Sequence, residues 1–387
     1  MGGFFDETAD GSVTNLGNIA KYSNGTWSAL PNGGLTGAVM ALAFVGNDLY
    51  VGGFFSQTGD RSVTNLGNIA KFSSGAWSAL ANEGLDGGVF EMAVIGTDLY
   101  AGGDFDATGD GIGTNLNNIV IYRNGGWSGV PCSGFVNGSG LDPAASFVNA
   151  MAVSGNDLFV GGYFSHTRSC PDAGGENFAY LSAGTWPPIS QFGLDDSVTA
   201  LAVNGNDVYA GGWFVESWLG QVKNLVHIAK FSNGAWSPVP NKGLKGGNFP
   251  HVSALKMNGN DLYVGGSFAT SADEKVKNLH NIAVLEYCPT KPTAPGVLYP
   301  PNNDVIDGRK FVLDWSDVDC AATYNLKVKN MSTGQIIVDK KGLAASKFKI
   351  KDLERTNKYW WQVSACNSIG CTKAPKSRFS ICPALCP

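Results

Sequence analysis

A chain of 387 residues is long enough for two or three domains, and its net charge of −5 with only 15% charged residues offers little to a nucleic-acid backbone. No run of 18 apolar residues is present, so no helical membrane span is expected. The sequence shows no helical hydrophobic period, and its 52 glycines suit a chain of many tight turns.

The chain opens on Met1-Gly2-Gly3-Phe4-Phe5, which reads as the tail of a strand with no signal peptide before it. Its meaning comes from residues 41–55, ALAFVGNDLYVGGFF, the unit that recurs along the chain. Ala41, Ala43 and Val45 alternate with Leu42 and Phe44, and both sets are apolar. This predicts a strand buried on both faces. Gly46-Asn47 should supply the positive φ angles of a tight hairpin. Residues 48–51 return as a second strand, and Gly52-Gly53 ends it where side chains would block a close approach. Residues 68–72 and 76–80 read as third and fourth strands around a turn at Ser74-Gly75.

The Gly-Gly pair recurs at Gly2, Gly52, Gly102, Gly161, Gly211 and Gly265, and the fourth-strand tryptophan at Trp27, Trp77, Trp127, Trp186 and Trp236. The steps are 50, 50, 59 and 50 for both markers, with 54 for the last Gly-Gly step. A period of about fifty residues with four strands predicts the blades of a β-propeller. First strands are expected near residues 39, 89, 148, 197 and 252. Six blades would take 24 strands and the sequence offers 22, lacking the first strand of the opening blade and the fourth of the last. Either those positions are filled from elsewhere, by a neighbouring chain or a longer precursor, or the ring carries two three-stranded blades. A five-bladed ring would leave residues 1–22 unused.

This pattern resembles the kelch-type propeller repeat over residues 2–287. It is similar above all to the bacterial surface-protein variety, LYVGGxF…NIAxYxNGxWSAL, whose wording appears almost intact at residues 49–80. The resemblance implies an all-β propeller over residues 1–288 and placement at a cell surface. It implies no activity, because propellers host many.

After Tyr287 five prolines follow within residues 289–301, with 289–295 as a stiff linker. Residues 296–387 read as a β-sandwich. Leu353, then Tyr359, Trp361 and Val363, resemble the tyrosine corner of a fibronectin type III domain, and Trp315 fits its buried second-strand tryptophan. Such a module implies a spacer or presenter of other domains. Charge divides at this boundary: residues 1–288 hold 12 Lys or Arg against 24 Asp or Glu, and residues 289–387 hold 15 against 8. An acidic propeller and a basic sandwich should attract each other, within a chain or between copies.

Eight cysteines point to an oxidising, extracellular compartment. Cys132 and Cys170 fall in loops expected on one face of a blade, beside the nine extra residues of that repeat, and are expected to pair; so are Cys366 and Cys371, which flank a short turn. The connectivity of Cys288, Cys320, Cys382 and Cys386 stays open.

Four histidines, His166, His227, His251 and His280, are the whole supply. His227 and His280 read as repeat equivalents of asparagines at Asn18, Asn68 and Asn118, so a copper oxidase centre is not expected, and no Ser-His-Asp order, phosphate loop or dinucleotide fingerprint stands out. Asp6 with Asp10, and Asp106 with Asp110, place oxygens at alternate positions before a glycine, an arrangement that suits calcium; the competing reading is a turn whose side chains bond their own backbone. Asn24, Asn137 and Asn330 head glycosylation triplets. Trp213, Trp218, Phe135, Tyr163 and Phe192 are aromatics that the repeat does not demand, and flat rings beside Asn and Asp suit a sugar. The expected function is therefore a secreted or surface-displayed, non-catalytic protein of adhesion or assembly whose partners are proteins, its own copies among them. A carbohydrate-binding propeller is the alternative, and a secreted enzyme the third.

Overall fold

The structure is a computed structural model describing residues 1–136, 146–167, 175–187, 193–259, 261–286, 291–318, 320–321, 323–367 and 369–383. The chain is all-β and divides into two compact units, Met1–Leu285 and Glu286–Pro387.

The first unit is a series of six repeats. The first holds β1 (Ala20–Ser23) and β2 (Thr26–Ala29), with an isolated bridge from Gly2 to Ile19 in place of a longer strand. The second is β3 (Val39–Val45), β4 (Asp48–Gly53), β5 (Ile69–Ser73) and β6 (Ala76–Ala79), and the third is β7 (Val89–Ile95), β8 (Asp98–Gly103), β9 (Ile119–Arg123) and β10 (Gly126–Gly129). The fourth contains β11 (Phe135–Val136), β12 (Phe147–Ser154), β13 (Asp157–Tyr163), β14 (His166–Thr167) and β15 (Phe178–Leu181). The fifth is β16 (Val198–Asn204), β17 (Asp207–Gly212), β18 (Ile228–Ser232) and β19 (Ala235–Pro238). The sixth has β20 (Leu244–Lys245), β21 (His251–Asn258), β22 (Asp261–Ser267), β23 (Thr270–Ser271) and β24 (Ile282–Glu286). The second, third and fifth repeats are four-stranded antiparallel meanders; the fourth and sixth form three-stranded sheets. In the fourth, the last strand shrinks to the Ser182–Thr185 bridge, although Trp186 keeps its buried place.

Two turn chemistries shape each meander. Between third and fourth strands Ser74 and Gly75 both take positive φ, 50° and 85°, as a two-residue hairpin requires. Between first and second strands Gly46 alone does so, which corrects the expectation for Asn47. Every first strand of a full pair carries a bulge near its start, between Val39 and Ala41 in β3 and at the same place in β7, β12, β16 and β21.

Repeat joins repeat through the first strands, with β3, β7, β12, β16 and β21 successive neighbours. The joint is a glycine socket. A Cβ on Gly52, Gly102, Gly161 or Gly211 would lie 2.4–2.5 Å from Cγ1 of Val89, Val148, Val198 or Val252, each from the following repeat. Only a missing side chain lets that valine seat.

The second unit is a two-sheet sandwich. One sheet orders β25 (Val297–Tyr299), β27 (Phe311–Trp315) and β30 (Lys347–Ile350). The other orders β26 (Asp304–Ile306), β33 (Ser377–Ile381), β31 (Lys358–Asn367), β28 (Thr323–Asn330) and β29 (Ile336–Leu343), with β32 (Gly370–Lys373) on β31. Trp315, Trp361, Leu326, Val328 and Val363 fill the space between them. The Tyr359 hydroxyl accepts from the Glu354 amide at 2.9 Å, just past the buried Leu353, and so forms the expected corner. With the topology, this makes the unit fibronectin type III-like.

Candidate interaction surfaces

The outward face of the sixth repeat breaks the pattern of the other five. Gly265 is the sixth socket, and a Cβ there would meet only Cβ of Ala254, in its own sheet, at 3.9 Å. Among the described residues no side chain enters it. The consequence is visible one repeat apart: Ile228 is 2% exposed and Ile282 62%, while Tyr209 is 3% exposed and Tyr263 39%. Val284 is exposed beside them, and among the described residues β24 pairs on one edge only.

A second open face lies on β3. Leu42 is 39% exposed where its equivalent Met92 is buried, and Met40 and Phe44 are exposed with it. The expectation that this strand is buried on both faces is therefore corrected. The equivalents of Leu42 rest on the preceding repeat, as Met151 Cε does over Gly102, and at β3 that support is reduced to the bridge at Gly2. Sequence alternation could not reveal this, because β3 and β7 carry similar residues and differ only in what precedes them.

A row of aromatic side chains runs along the end of the first strands. Phe54 lies 5.5 Å from Phe90, Phe90 6.5 Å from Phe147, and Phe147 5.7 Å from Tyr163, ring centre to ring centre. Trp213 stacks on His251 at 4.2 Å and 9° in the corresponding place of later repeats. Phe54, Tyr163 and Trp213 each directly follow a Gly-Gly pair. Phe54 was not singled out from the sequence, although its position after Gly-Gly was the signal; Phe90 and Phe147, in the first strands, carry no such mark. Trp218 is half exposed in its loop. Phe135, expected at a ligand surface, is instead buried between Phe164 and Trp186; the insertion after it made it look like a loop residue. Phe192 lies outside the described residues.

The acidic loops are tied to themselves. Asp10 accepts the Thr8 hydroxyl at 2.6 Å and the Ser12 amide at 3.1 Å, and the Thr8 hydroxyl chiefly holds its carboxyl down to about 2. Asp110 does the same with Thr108 and Ile112. Asp6 and Asp106 accept the amides of Gly17 and Asn117. Asp60 repeats the turn with Thr58 and Ser62. These are side-chain-to-backbone turns. Among the described residues no cluster of three or more His, Cys, Asp or Glu side chains is placed to hold a metal. Beside the first of these loops an open cleft of about 630 Å³ is lined by Phe4, Phe5, Asp6, Asn15, Asn18 and Asp60 among others. In the next repeat Glu83 and Asp86 reach into the equivalent space, where Gly33 and Thr36 stand here.

His227 occupies the asparagine position of the repeat, with φ 63° against 64° and 63° at Asn18 and Asn68. Asn68 there accepts the Phe55 amide at 3.2 Å and donates to the Leu85 carbonyl at 3.1 Å, so it staples two repeats. His280 is one residue out of step; Asn281 fills that role in the sixth repeat. Among the described residues His227 Nδ1 is buried with no hydrogen-bond partner, and burial chiefly pushes its pKa down, opposed by the backbone groups of Trp213 and Gly212.

Cys366 and Cys371 form the expected disulfide across the β31–β32 hairpin. Cys132, Cys320 and Cys382 are also disulfide-bonded. Cys170, the expected partner of Cys132, lies outside the described residues, as do Cys288 and Cys386. Of the glycosylation triplets, Asn330 is buried and accepts the amides of Ser332 and Thr333, Asn24 sits in an exposed hairpin turn, and Asn137 is outside the described residues.

No family model matches the chain, and no curated protein matches it. Among solved structures it is similar to a Fn3-like protein from Clostridium thermocellum (21% identity over 24% of this chain and 93% of that one, TM-score 0.19). It is also similar to the fibronectin type III domain of human fibronectin type III domain containing protein 3 (23%, over 26% and 91%, TM-score 0.18). The FN1–FN3 domains of chicken CNTN1 align over 52% of this chain and 74% of that one at 12% identity, TM-score 0.20. No helix among the described residues is long and apolar enough to cross a membrane.

Proposed function

We propose that this chain is an extracellular, non-catalytic interaction protein: a kelch-type propeller of six repeats, two of them incomplete, followed by a fibronectin type III-like presenting domain. Its partners are proteins, copies of itself included, engaged at the unfilled repeat margins. The observation that carries the reading is the contrast between Gly265 and the four sockets, from Gly52 to Gly211, that take a valine 2.4–2.5 Å away. An apolar face of that kind, Tyr263 with Ile282 and Val284, is costly to leave in water and marks a contact surface. The disulfides support an oxidising compartment. Opposite charge on the two units favours association between copies at low salt.

Light scattering on the size-exclusion eluate tests this. The full chain should run above its 40.6 kDa monomer mass at low salt, shift towards monomer as salt rises, and shift further in an F44D/I282D variant. A monomer under all conditions, with no binding of other surface proteins, would sink it.

The row of exposed rings and the cleft beside Phe4 and Phe5 favour a second reading, a carbohydrate-binding propeller. A glycan array separates the two: signal lost in F90A or W213A supports the sugar reading, and an array without hits removes it.

A further inference from the structure

The Cys366–Cys371 bridge lies on the side of its sheet that faces away from the core. Along β31 the core takes Trp361, Val363 and Ala365, so Gln362, Ser364 and Cys366 point the other way. Cys371 stands directly opposite Cys366, and the next row on that face is Asn325, Ser364 and Lys373. The two cysteines differ in access: Cys366 is 6% exposed, whereas Cys371 is open to solvent.

A hydrogen-bond donor is already aimed at the sulfurs. Asn325 Nδ2 donates to Cys366 Sγ at 3.1 Å and reaches Cys371 Sγ at 3.7 Å. Its amide cannot turn round, because Oδ1 accepts the Gly342 amide at 3.1 Å. A disulfide sulfur is a weak acceptor and a thiolate a strong one, so this bond strengthens if the bridge opens with the charge on Cys366. Charge around the site points the same way. Lys373 is two residues from Cys371 on the same face of β32, and Lys291 crosses the adjacent Gly370, its Nζ 3.4 Å from where a Cβ there would stand. Asp339, on the same sheet face, is paired with Lys327 at 3.6 Å. The hairpin is also held without the bridge. β31 and β32 pair through four residue pairs, and Asn367 Oδ1 accepts the amides of Ile369 and Gly370 at 2.9 and 3.2 Å.

We propose that this bridge is a thiol-exchange site at which a small anionic thiol becomes attached to Cys371. The incoming thiol loses its proton to solvent, and its thiolate attacks the accessible Cys371 sulfur. The bond to Cys366 breaks as the mixed disulfide forms, and the electron pair leaves on Cys366 Sγ, where Asn325 holds the thiolate until solvent returns a proton. One disulfide replaces another, so the step takes no net electrons. Attack by Cys366 on the Cys371 sulfur expels the thiol and restores the bridge, because the ladder keeps the two cysteines opposed. Exchange favours the accessible sulfur and the better-stabilised leaving thiolate, and here both choose Cys371 as the point of attachment.

The full chain, treated with reduced glutathione, quenched by alkylation and mapped by mass spectrometry, tests this. Glutathione should appear on Cys371 and the alkyl group on Cys366 before the disulfides of Cys132, Cys320 and Cys382 open. N325D keeps the shape of the side chain and its bond from the Gly342 amide but sets an acceptor against the sulfurs; it should slow the reaction at least about tenfold. K373E, at an exposed residue, should slow glutathione and speed cysteamine, a cationic thiol. Opposite effects on two thiols separate charge recognition from a change in the stability of the hairpin. Removal of glutathione should return the bridge. Attachment at Cys366, earlier opening of another disulfide, an N325D rate equal to wild type, or K373E acting alike on both thiols overturns the proposal.

Discussion

His227 shows how one side chain can weaken a joint that its equivalents strengthen. The asparagine at this position links a loop amide of its own repeat to a carbonyl of the next; the imidazole leaves Nδ1 buried and, among the described residues, without a hydrogen bond. H227N should restore both bonds and raise stability by about 1–2 kcal/mol in chemical denaturation. It should also change the response to acid. Burial holds the folded pKa of His227 below 6.5, so the unfolded chain binds the proton first and stability drops as pH falls through that value; in H227N this drop should be absent. Glu91 works in the opposite sense. It stands where Ala41, Ala150, Ala200 and Ala254 stand in other repeats, and burial pushes its carboxyl from 4.5 up to about 7. The unfolded chain releases that proton first, so stability falls as pH rises from 4.5 towards about 7. E91A should flatten this slope and exceed the wild type above neutral pH by at most about 3 kcal/mol. Equal melting temperatures of E91A and wild type across that range would show that Glu91 is not desolvated. Burial raises Glu176 to about 7 as well, and the pH dependence it contributes, of the same sign, stays in place in E91A.

At the scale of the element, the first strand is the connecting piece, and the glycine before it sets the distance between repeats. Gly211→Val should therefore be severe: its Cβ would stand 2.4 Å from Val252 Cγ1 in a packed joint, and overpacking of that kind costs about 1–3 kcal/mol or more. A G211V chain as stable as wild type would show that the fifth and sixth repeats are not held at this distance. The loops that follow the Gly-Gly pairs are elements of another kind. Their Thr-x-Asp turns close on themselves in successive repeats, each Asp carboxylate accepting the hydroxyl of the Thr two residues before it.

At the scale of the whole molecule, the two compact units have separate cores and should unfold in separate steps. The Cys366–Cys371 bridge lies wholly within the sandwich. A C366S/C371S variant should lose about 2 kcal/mol, as expected for a short closed loop, and calorimetry should show the loss in one transition while the other stays put. Movement of both transitions would mean that the units unfold as one.

Period, strand order and the two-unit division were legible in the sequence, because each depends on local rules: alternation, turn glycines and the recurrence of Gly-Gly and Trp at a constant step. The tyrosine corner was legible for the same reason, since Leu353 and Tyr359 are near neighbours in the chain. Exposure was not. Leu42 and Met92, or Ile228 and Ile282, sit in nearly identical sequence and have opposite environments, because burial of a repeat is decided by the neighbour it packs on. Phe135 was misplaced for that reason too: its partners Phe164 and Trp186 are far along the chain. What the sequence determined alone was the module and its copying; which copies are left with an uncovered face was decided only when they packed, since a socket is empty or full according to a residue of the following repeat, far along the chain.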